Sequence, residues 1–530
     1  MSRSDAELLS LEWERIQLVC RLRTDGTAPV STAVLRLDRA EGADRADGPE
    51  TMRPTRVDIG EADATLRFNV MLGPDQQPLR AGRWILGTDA GPLRLTSSRP
   101  LDPVVAHRRF EFLGGWYRVA VVLDGGALSL EIEYREGDLS YLSPGRRLAR
   151  WWRRLIRHRI FDALVAYHRR RAPRTGRHVL FTSDSHEGLA GNLATVYERM
   201  VERGLDREYR LETLFRPSVA RGRSWRDRLR LPRLLGEADV ILLDDFQPAI
   251  YRLPPAPGVR IIQLWHASGA FKTVGYSRVG KPGGPSPFAS IHKNYTHAIV
   301  SGRHDVPFYA EAFGLPEERM VPTGIPRMDR FFDERARAEG RARARARFPM
   351  TDGRMTILLA PTFRGLGPRD ATYAFHLLDL PALHRVAGER DAVVIVKMHP
   401  FIRERLAVPE PLRDRIVDGT DVEIDVNDLL LAVDLLVTDY SSIVFEFSTL
   451  RRPMLFFAYD LEEYVAERDF YVPFSEFVPG RIVRTFDELL DAIRRGGDGV
   501  EAVEAFARRH FDHLDGSATD RVIDELILRR

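Results

Sequence analysis

The first quarter of the chain alternates short apolar runs with polar positions and turn residues. Residues 34–38, 65–71 and 116–123 place apolar side chains at or near every second position, which is the period of a β-strand. The pair Gly125-Gly126 separates the third run from another alternating run, as in a tight hairpin. The pattern predicts an all-β, sandwich-like N-terminal domain over residues 1–143.

Beyond Pro144-Gly145 the apolar positions recur at helical spacing among many arginines. Twelve arginines and one aspartate lie between residues 146 and 177, and we predict a basic amphipathic helix in a linker over 144–175. Two interpretations stay open and are compatible: a connector packed on the next domain, or a helix that docks on an anionic membrane surface. The membrane-facing candidates are Arg146, Arg147, Arg150, Trp151, Trp152, Arg153, Arg154 and Arg157.

The remaining chain alternates short, almost wholly apolar runs with helical stretches, which predicts parallel sheets covered by helices. The charged, Arg-Ala-rich segment 333–347 is typical of an exposed helix between two such units. We therefore predict an α/β fold of two doubly wound domains that form a cleft, the architecture called GT-B, over residues 176–345 and 346–530. The predicted strands are 178–182, 240–243, 260–265 and 297–301 in the first domain and 356–360, 392–397, 435–438 and 454–458 in the second, with a last helical stretch over 500–530.

Polar residues follow four of these predicted strands. In open α/β sheets ligands bind beyond the carboxyl ends of the strands, so these residues are candidates for a common site. They supply two imidazoles, two cations and several hydroxyls, and they are His266, Arg364, the Lys397 to His399 segment and the run from Thr438 to Ser442.

The run TDYSS at 438–442 precedes a predicted helix. Free backbone N–H groups and the hydroxyls of Ser441 and Ser442 at such a position favour phosphate binding, although Ser and Asp are also ordinary helix caps. His266 and His399 have a structural alternative as well. Their occurrence as a pair, one in each predicted domain, favours one histidine as a general base and the other as a support for a diphosphate.

Composition limits the class of protein. The 530 residues are 44% hydrophobic and 29% charged with a net charge of +3, as in globular domains. No apolar run approaches the roughly 20 residues that cross a bilayer, and residues 1–14 lack the pattern of a secretory signal. Cys20 is the single cysteine, so an intramolecular disulfide is impossible. We expect a protein on the cytoplasmic side.

Several motifs together resemble the CDP-glycerol glycerophosphotransferase family of teichoic acid synthesis. The resemblance covers about residues 178–500, outside the β domain, and its block from Asp434 to Tyr464 is specific to the family. The motifs, in family order and at similar spacing, are QLWH at 263–266, APTFR at 360–364, KMHP at 397–400, DLLVTDYSS at 434–442, RP at 452–453 and YDLEEY at 459–464.

The resemblance implies a GT-B fold, a CDP-polyol donor with CDP-glycerol expected, release of CMP and attachment to the inner face of the cell membrane. It implies that His266 and His399 are the essential histidines and that Glu446 is a candidate for the donor ribose. Arg364, Lys397, Thr438, Asp439, Ser441 and Ser442 are the other donor-binding candidates, and Asn192, Ser268 and Lys272 are those for the acceptor side of the cleft.

One departure concerns the acceptor. After Trp265-His266 the family continues Gly-Thr-Pro, whereas this chain has Ala267-Ser268-Gly269. The polymer acceptor, expected to be teichoic-acid-like and membrane-linked, is therefore less well defined than the donor.

Two other functions compete with polyol-phosphate transfer. A GT-B glycosyltransferase would use a nucleotide sugar, and a non-catalytic adaptor would hold anionic polymer at the membrane through the basic helix. We expect no cofactor, no metal and no nucleic acid. If the transfer does use a metal ion, the pair Asp244-Asp245 at a strand end is the candidate for its ligands.

Overall fold

The computed structural model describes residues 4–24, 30–38, 50–73, 76–136, 144–185, 187–216, 223–365, 367, 369–496 and 499–529. A β domain is followed by a long helix and two α/β domains. No helix in these ranges combines the length and the apolar character needed to cross a membrane.

The β domain has eleven strands that form one sheet around one core. Residues 4–24 and 63–69 make one half of the sheet, and residues 82–135 make most of the other, with β8 paired to both β1 and β7. Leu66, Trp84 and Val119 from the two halves meet in the same buried cluster, so the halves face each other as in a sandwich. The strands are β1 (Ser4–Glu14), β2 (Gln17–Thr24), β3 (Ala33–Asp38), β4 (Thr51–Met52), β5 (Arg56–Ile59), β6 (Asp63–Asn69), β7 (Gly82–Thr88), β8 (Gly91–Thr96), β9 (His107–Phe112), β10 (Gly115–Asp124) and β11 (Ala127–Arg135), with one short helix, α1 (Pro103–Ala106).

A buried ion pair joins the β domain to the next domain. Arg15 Nε lies 2.7 Å from Glu311 Oε1, and Gln17 Nε2 donates to Glu311 Oε2 at 2.6 Å. The Glu311 side chain is completely buried, so these donors are what satisfies its charge. The β domain is therefore fixed to the first α/β domain.

The first α/β domain is a parallel six-stranded sheet. Its strand order is β13, β12, β14, β15, β16, β17. Every residue of β14 and β15 is buried, because helices cover both faces, and this explains the continuous apolar runs in the sequence. The strands are β12 (His178–Ser183), β13 (Arg210–Phe215), β14 (Val240–Leu243), β15 (Arg260–Gln263), β16 (His297–Ile299) and β17 (Met320–Val321), and the helices are α3 (Gly191–Glu202), α4 (Trp225–Glu237) and α5 (Val306–Phe313).

One helix, α2 (Pro144–Arg171), connects the β domain to this sheet, where the sequence predicted a helix over 146–171. It packs closely on α4, because a Cβ added to Gly236 would lie 2.7 Å from the Cβ of His168. Trp152 and Ile160 are exposed on α2, whereas Val165 is buried. The other membrane candidates, Arg146, Arg147, Arg150, Trp151, Arg153, Arg154 and Arg157, have side chains outside the described residues.

The second α/β domain contains another parallel six-stranded sheet, ordered β20, β19, β18, β21, β22, β23. The order reverses between β18 and β21, and such a switch point leaves a crevice at the carboxyl ends of the strands. The strands are β18 (Met355–Leu359), β19 (Ala392–Val396), β20 (Ile416–Asp418), β21 (Leu435–Thr438), β22 (Met454–Phe457) and β23 (Arg481–Val483), and the helices are α6 (Glu334–Arg347), α7 (Leu380–Glu389), α8 (Val426–Ala432), α9 (Ile443–Ser448), α10 (Leu461–Glu467), α11 (Phe474–Phe477) and α12 (Phe486–Arg495).

The last segment differs from the single helical stretch predicted over 500–530. Helix α13 (Val500–His510) ends before Gly516, which has a φ of +71°, and α14 (Ala518–Arg521) continues as a π-helical stretch, Val522–Leu528. Arg260 of β15 donates to the carbonyl oxygens of Leu526 and Ile527 at 2.6 and 2.8 Å. The end of the range assigned to the second domain thus packs on the first domain.

Candidate active site

The polar residues predicted at strand ends surround the switch point of the second sheet. Arg364 follows β18, the run from Asp439 to Ser442 follows β21, and Lys397 and His399 follow β19, the other neighbour of β18. Adjacent parallel strands end at the same edge, so the fold brings these residues together on one face of the cleft.

Arg364 is the centre of this second-domain face. Its Nη1 lies 2.8 Å from Asp439 Oδ2, and its Nε and Nη2 donate to the two carboxylate oxygens of Asp460 at 2.5 and 2.9 Å. Burial by itself would lower the pKa of Arg364, but the charge of Asp439 and the hydrogen bond to Asp460 outweigh burial and raise the pKa. The guanidinium is a fixed cation with a fixed orientation.

Thr438 and Asp439 face inward. The Thr438 hydroxyl donates to the carbonyl of Ala360 at 2.8 Å. Asp439 accepts from the backbone N–H groups of Thr362 and Tyr440 at 2.7 and 2.6 Å in addition to Arg364. Both side chains are almost fully buried, so their observed contacts hold Arg364 and the two strand ends in position.

Lys397 and His399 lie on the same face. Lys397 Nζ donates to the carbonyl oxygens of Gly419 and Val422 at 3.0 and 3.2 Å. The His399 ring packs at a tilt against Phe363, with 4.8 Å between ring centroids. Burial, aided by the charge of Lys272, lowers the pKa of His399, so its neutral form dominates at neutral pH.

Ser441 and Ser442 precede α9, as the sequence predicted. Ser442 is exposed and occupies the N-cap position, but its side chain makes no capping hydrogen bond. Ser441 Oγ accepts only a long bond from Ile443 N at 3.4 Å. Helix capping therefore does not explain why Ser441 and Ser442 stand before α9.

His266 stands on the first-domain face, in the loop after β15. The loop is held from behind by Asn192, whose Nδ2 donates to the carbonyl oxygens of Leu264 and Trp265 at 3.2 and 2.6 Å. Trp265 has a φ of +48°, a conformation that a bulky residue adopts only where its surroundings impose it. Asn192 is buried, so it fixes the histidine loop instead of lining the cleft.

The surroundings of His266 favour a neutral imidazole. About half of its side chain, 52%, is accessible, and its Nδ1 lies 3.8 Å from Asp245 Oδ2. The cleft walls desolvate the ring and lower the pKa of His266; the charge of Asp245 opposes this, and that of Arg327 reinforces it. A neutral, accessible imidazole beside a carboxylate has the properties of a general base.

Glu446 links the two faces. Its Oε1 accepts from Ser268 Oγ at 2.8 Å and from Arg327 Nη2, and both of these donors belong to the first domain. Only 3% of Glu446 is exposed, and its Oε2 is buried without a hydrogen-bond partner among the described residues. Glu446 thus offers one unused buried acceptor where the domains meet.

Lys272 forms a second link between the faces. Its Nζ donates to the hydroxyl of Tyr464 at 2.8 Å, and its backbone bridges to Phe470. Burial lowers the pKa of Lys272 to about 7, with a further lowering from Arg468 and Arg364 and an opposing effect of Asp439. The ammonium is therefore close to its titration point at physiological pH.

Arg327, Asp245 and Asp460 were not predicted as site residues, apart from the metal alternative for Asp245. Asp245 does follow a strand, and Asp460 lies in the family motif at 459–464, so both had a signal. Arg327 lies in a short helical turn after the two-residue strand β17, which was not among the predicted strands, and its role depends on contacts with Asn192 and Glu446. Two groups of histidine and carboxylate side chains with metal-ligand spacing occur among the described residues, and both lie outside the cleft.

Comparisons with known proteins place the chain in a family. Residues 164–528 match the model of the CDP-Glycerol:Poly(glycerophosphate) glycerophosphotransferase family. The teichoic acid ribitol-phosphate polymerase TarK of Staphylococcus aureus is 46% identical over 351 residues, which are 66% of this chain and 68% of TarK. TarL of the same organism, also named a teichoic acid ribitol-phosphate polymerase, is 42% identical over 71% of this chain and 66% of TarL. The chain thus spans about two thirds of the length of these relatives.

The fold has a solved counterpart. The structure of the wall teichoic acid polymerase TagF aligns with a TM-score of 0.57 and 21% identity, covering 72% of this chain and 97% of that one. The arrangement of two α/β domains described above is thus shared with TagF. From its motifs, its cleft and these matches, the chain belongs to the CDP-glycerol glycerophosphotransferase family, and it is a transferase of the teichoic acid polymerase and primase group.

Proposed function

We propose that the protein transfers ribitol phosphate from CDP-ribitol to the hydroxyl end of a teichoic-acid-like polymer and releases CMP. The observation that carries the proposal is the junction of the two α/β domains. Ser268, two residues after His266, donates to Glu446 there, and Lys272 donates to Tyr464, beside the cations and hydroxyls at the switch point of the second sheet. The sequence alone favoured CDP-glycerol. The identities of 46% and 42% to proteins named for ribitol phosphate favour ribitol instead.

The proposed reaction is a single displacement at the β-phosphorus of the donor. The terminal hydroxyl oxygen of the acceptor forms the new O–P bond, His266 takes the hydroxyl proton, and the bond to the bridging oxygen breaks, leaving its electron pair on CMP. Negative charge on the phosphate oxygens requires fixed donors. We assign this role to Arg364, Lys397, His399, Ser441 and Ser442.

Glu446 is proposed to bind a hydroxyl group of the substrate. Its buried Oε2 lacks a partner among the described residues, and a sugar or polyol hydroxyl is a suitable donor. This keeps the ribose role that the family resemblance implies. The short contact with Arg327 keeps the carboxylate close to the acceptor side, beside Ser268.

We place the enzyme on the anionic inner surface of the cell membrane, where a lipid-linked acceptor is accessible. Support comes from the pair α2 and α4, whose inner sides pack together. Trp152 (50%) and Ile160 on α2 and Trp225 (68%) and Leu229 on α4 are exposed, and the sequences of both helices are rich in arginine. The helices thus act as a connector where they pack on each other, and we assign the membrane contact to their exposed side chains.

The function is tested by product analysis. Purified full-length protein, membranes and a lipid-linked acceptor are incubated with CDP-ribitol, CDP-glycerol or a UDP-sugar, and nucleotide release is followed by chromatography. We expect CMP from CDP-ribitol at least about tenfold faster than from CDP-glycerol, because a site built around substrate hydroxyls rejects a shorter polyol. UDP release would support the glycosyltransferase, and no release from any donor would support the adaptor.

The membrane proposal is tested by co-sedimentation with anionic and neutral vesicles over a salt series. The variant carries glutamine at the six basic candidates Arg146, Arg147, Arg150, Arg153, Arg154 and Arg157. Each basic residue near an anionic surface contributes about 1 kcal/mol, so the variant is expected to lose salt-sensitive binding. A matched control carries glutamine at arginines of the exposed helix α6. Equal sedimentation of wild type and variant on anionic vesicles would leave α2 as a connector alone.

A further inference from the structure

Three potential metal ligands meet where the first domain contacts α13. His304 and Asp305 lie directly before α5, and His510 is the last residue of α13. One ligand atom from each lies within 4.8 Å of the others. Asp305 and His510 are buried and His304 is half-buried, so the group lies beneath the surface.

The spacing within the group fits a shared cation better than a hydrogen bond. His510 Nδ1 and Asp305 Oδ1 are 3.3 Å apart, whereas charge-assisted hydrogen bonds to carboxylates are about 2.7–2.9 Å long. Two ligands of a tetrahedral zinc ion, each bound at about 2.0–2.1 Å, lie about 3.3 Å from one another. The observed separation matches the edge of such a tetrahedron, although it also lies within the range of a long hydrogen bond.

His304 supplies an independent indication of a ligand. Its Nε2 is buried and makes no hydrogen bond within the described ranges, although buried polar atoms are nearly always paired. The second oxygen of Asp305 accepts from Ser301 Oγ at 3.0 Å, the kind of outer contact that orients metal-binding carboxylates.

We propose that His304, Asp305 and His510 bind one divalent transition-metal ion. Two imidazoles and one carboxylate are a donor set that suits Zn²⁺, with a fourth position for water.

The second group with metal-ligand spacing provides a contrast. His178 Nε2 lies 2.8 Å from Glu212 Oε2, closer than two ligands of one zinc ion, although neither atom makes a hydrogen bond of good geometry among the described residues. Arg210 also lies 2.8 Å from Glu212, so a guanidinium already neutralises the carboxylate that a cation would need. This group is expected not to bind metal, which makes it a matched control.

The position of the proposed ion indicates a structural role. The His510 ring contacts Phe445 of α9 and Phe477 of α11, with centroids 5.2 and 5.6 Å apart. An ion bound by His304, Asp305 and His510 would join the first domain to α13, which packs through His510 on the helix that carries Glu446. Such a brace fixes the two faces of the cleft and takes no part in phosphate transfer.

The test uses the full-length protein stripped with a chelator and then dialysed. Co²⁺ is titrated as a spectroscopic probe, Zn²⁺ content after gel filtration is measured by mass spectrometry, and thermal melting is recorded with and without Zn²⁺. We expect about one ion per chain, visible absorption bands of tetrahedral Co²⁺ and a higher melting temperature with Zn²⁺.

Two variants locate the site. His304→Gln is expected to weaken metal binding at least about tenfold, since even the loss of an outer-shell partner has an effect of that size. The half-buried position of His304 favours folding of this variant, and circular dichroism checks it. His178→Gln is expected to bind like the wild type. Absence of metal from the wild type, unchanged binding in His304→Gln or lost binding in His178→Gln would each overturn the proposal.

Discussion

The two faces of the cleft are built in opposite ways. On the second-domain face, Arg364 is held by two carboxylates and its charge cannot change. On the first-domain face, His266 projects from a loop, is half accessible and has its Nδ1 3.8 Å from the Asp245 carboxylate. The contrast teaches that binding and proton transfer have different requirements: a phosphate site needs preorganised cations, whereas a general base needs a neutral side chain that can accept a proton.

The largest effect is expected from His266→Ala. If His266 on the first-domain face takes the proton, the variant lowers kcat by about a hundredfold or more and leaves donor affinity nearly unchanged. His399→Ala is expected to lower turnover by a similar factor through loss of phosphate stabilisation. Rates of CMP release and calorimetric titration with CDP measure the two quantities. Near-normal turnover in either variant, with unchanged circular dichroism, would contradict the assigned role.

Arg364→Lys tests whether the second-domain face needs a cation of fixed orientation. Lysine keeps the charge but loses the forked geometry that Asp439 and Asp460 hold, so we expect donor affinity to fall about 10- to 100-fold. Arg369→Lys is the matched control, because Arg369 is exposed in the same loop. If calorimetry gives Arg364→Lys the same CDP affinity as the control, the second face does not depend on preorganisation.

A smaller effect is expected when Ser441 and Ser442 are both replaced by alanine. Two lost hydrogen bonds should weaken CDP binding about fivefold to tenfold, while the melting temperature changes by a few degrees at most. Thr485→Ala is the opposite case: Thr485 Oγ1 accepts from Glu488 N in a capping box far from the cleft. That variant should lower stability by about 1 kcal/mol without changing CDP affinity. Unchanged CDP affinity in the serine variant would leave the serines without a donor-binding role.

The smallest effect is expected in the protonation of Lys272 when the donor binds. Lys272 has a pKa of about 7, so it is mostly neutral at pH 8. A diphosphate bound beside Arg364 and His399 adds negative charge and raises that pKa, so donor binding at pH 8 is expected to take up nearly one proton. Titration calorimetry in buffers of different ionisation enthalpy measures this uptake. It should disappear in Lys272→Met and persist in His266→Ala; equal uptake in wild type and Lys272→Met would exclude contact between Lys272 and the donor charge.

The lowered pKa of Lys272 also predicts the direction in which the stability of the protein changes with pH. The unfolded lysine titrates at 10.5 and the folded one at about 7, so the unfolded chain holds more protons between these values. Stability should therefore rise with pH across this window and rise less in Lys272→Met. Melting temperatures of the two proteins from pH 7 to 10 provide the measurement.

Strands and strand ends were predictable because a strand that is buried on both faces forms a short, continuous apolar run in the sequence. The predicted bounds 240–243 and 435–438 agree with β14 and β21, whereas β15, which precedes His266, ends at Gln263 and not at residue 265 as predicted. Side-chain direction was not predictable. Asp439 and Asn192 occupy positions at the cleft, but their side chains turn inward. Asp439 accepts from the backbone of Thr362 and the guanidinium of Arg364, and Asn192 donates to the backbone carbonyl of Trp265. Arg327 is the clearest omission, since its three partners come from distant parts of the chain.

The return of residues 518–528 to the first domain affects how the protein is made. Arg260 obtains its carbonyl partner Leu526 only after 266 further residues have been synthesised. At about 5–20 residues per second this takes roughly 10 to 50 s on a ribosome. During that time the first sheet exists without its final covering segment, and the apolar side chains that Ile523 and Ile527 later cover are exposed to chaperones and to other nascent chains.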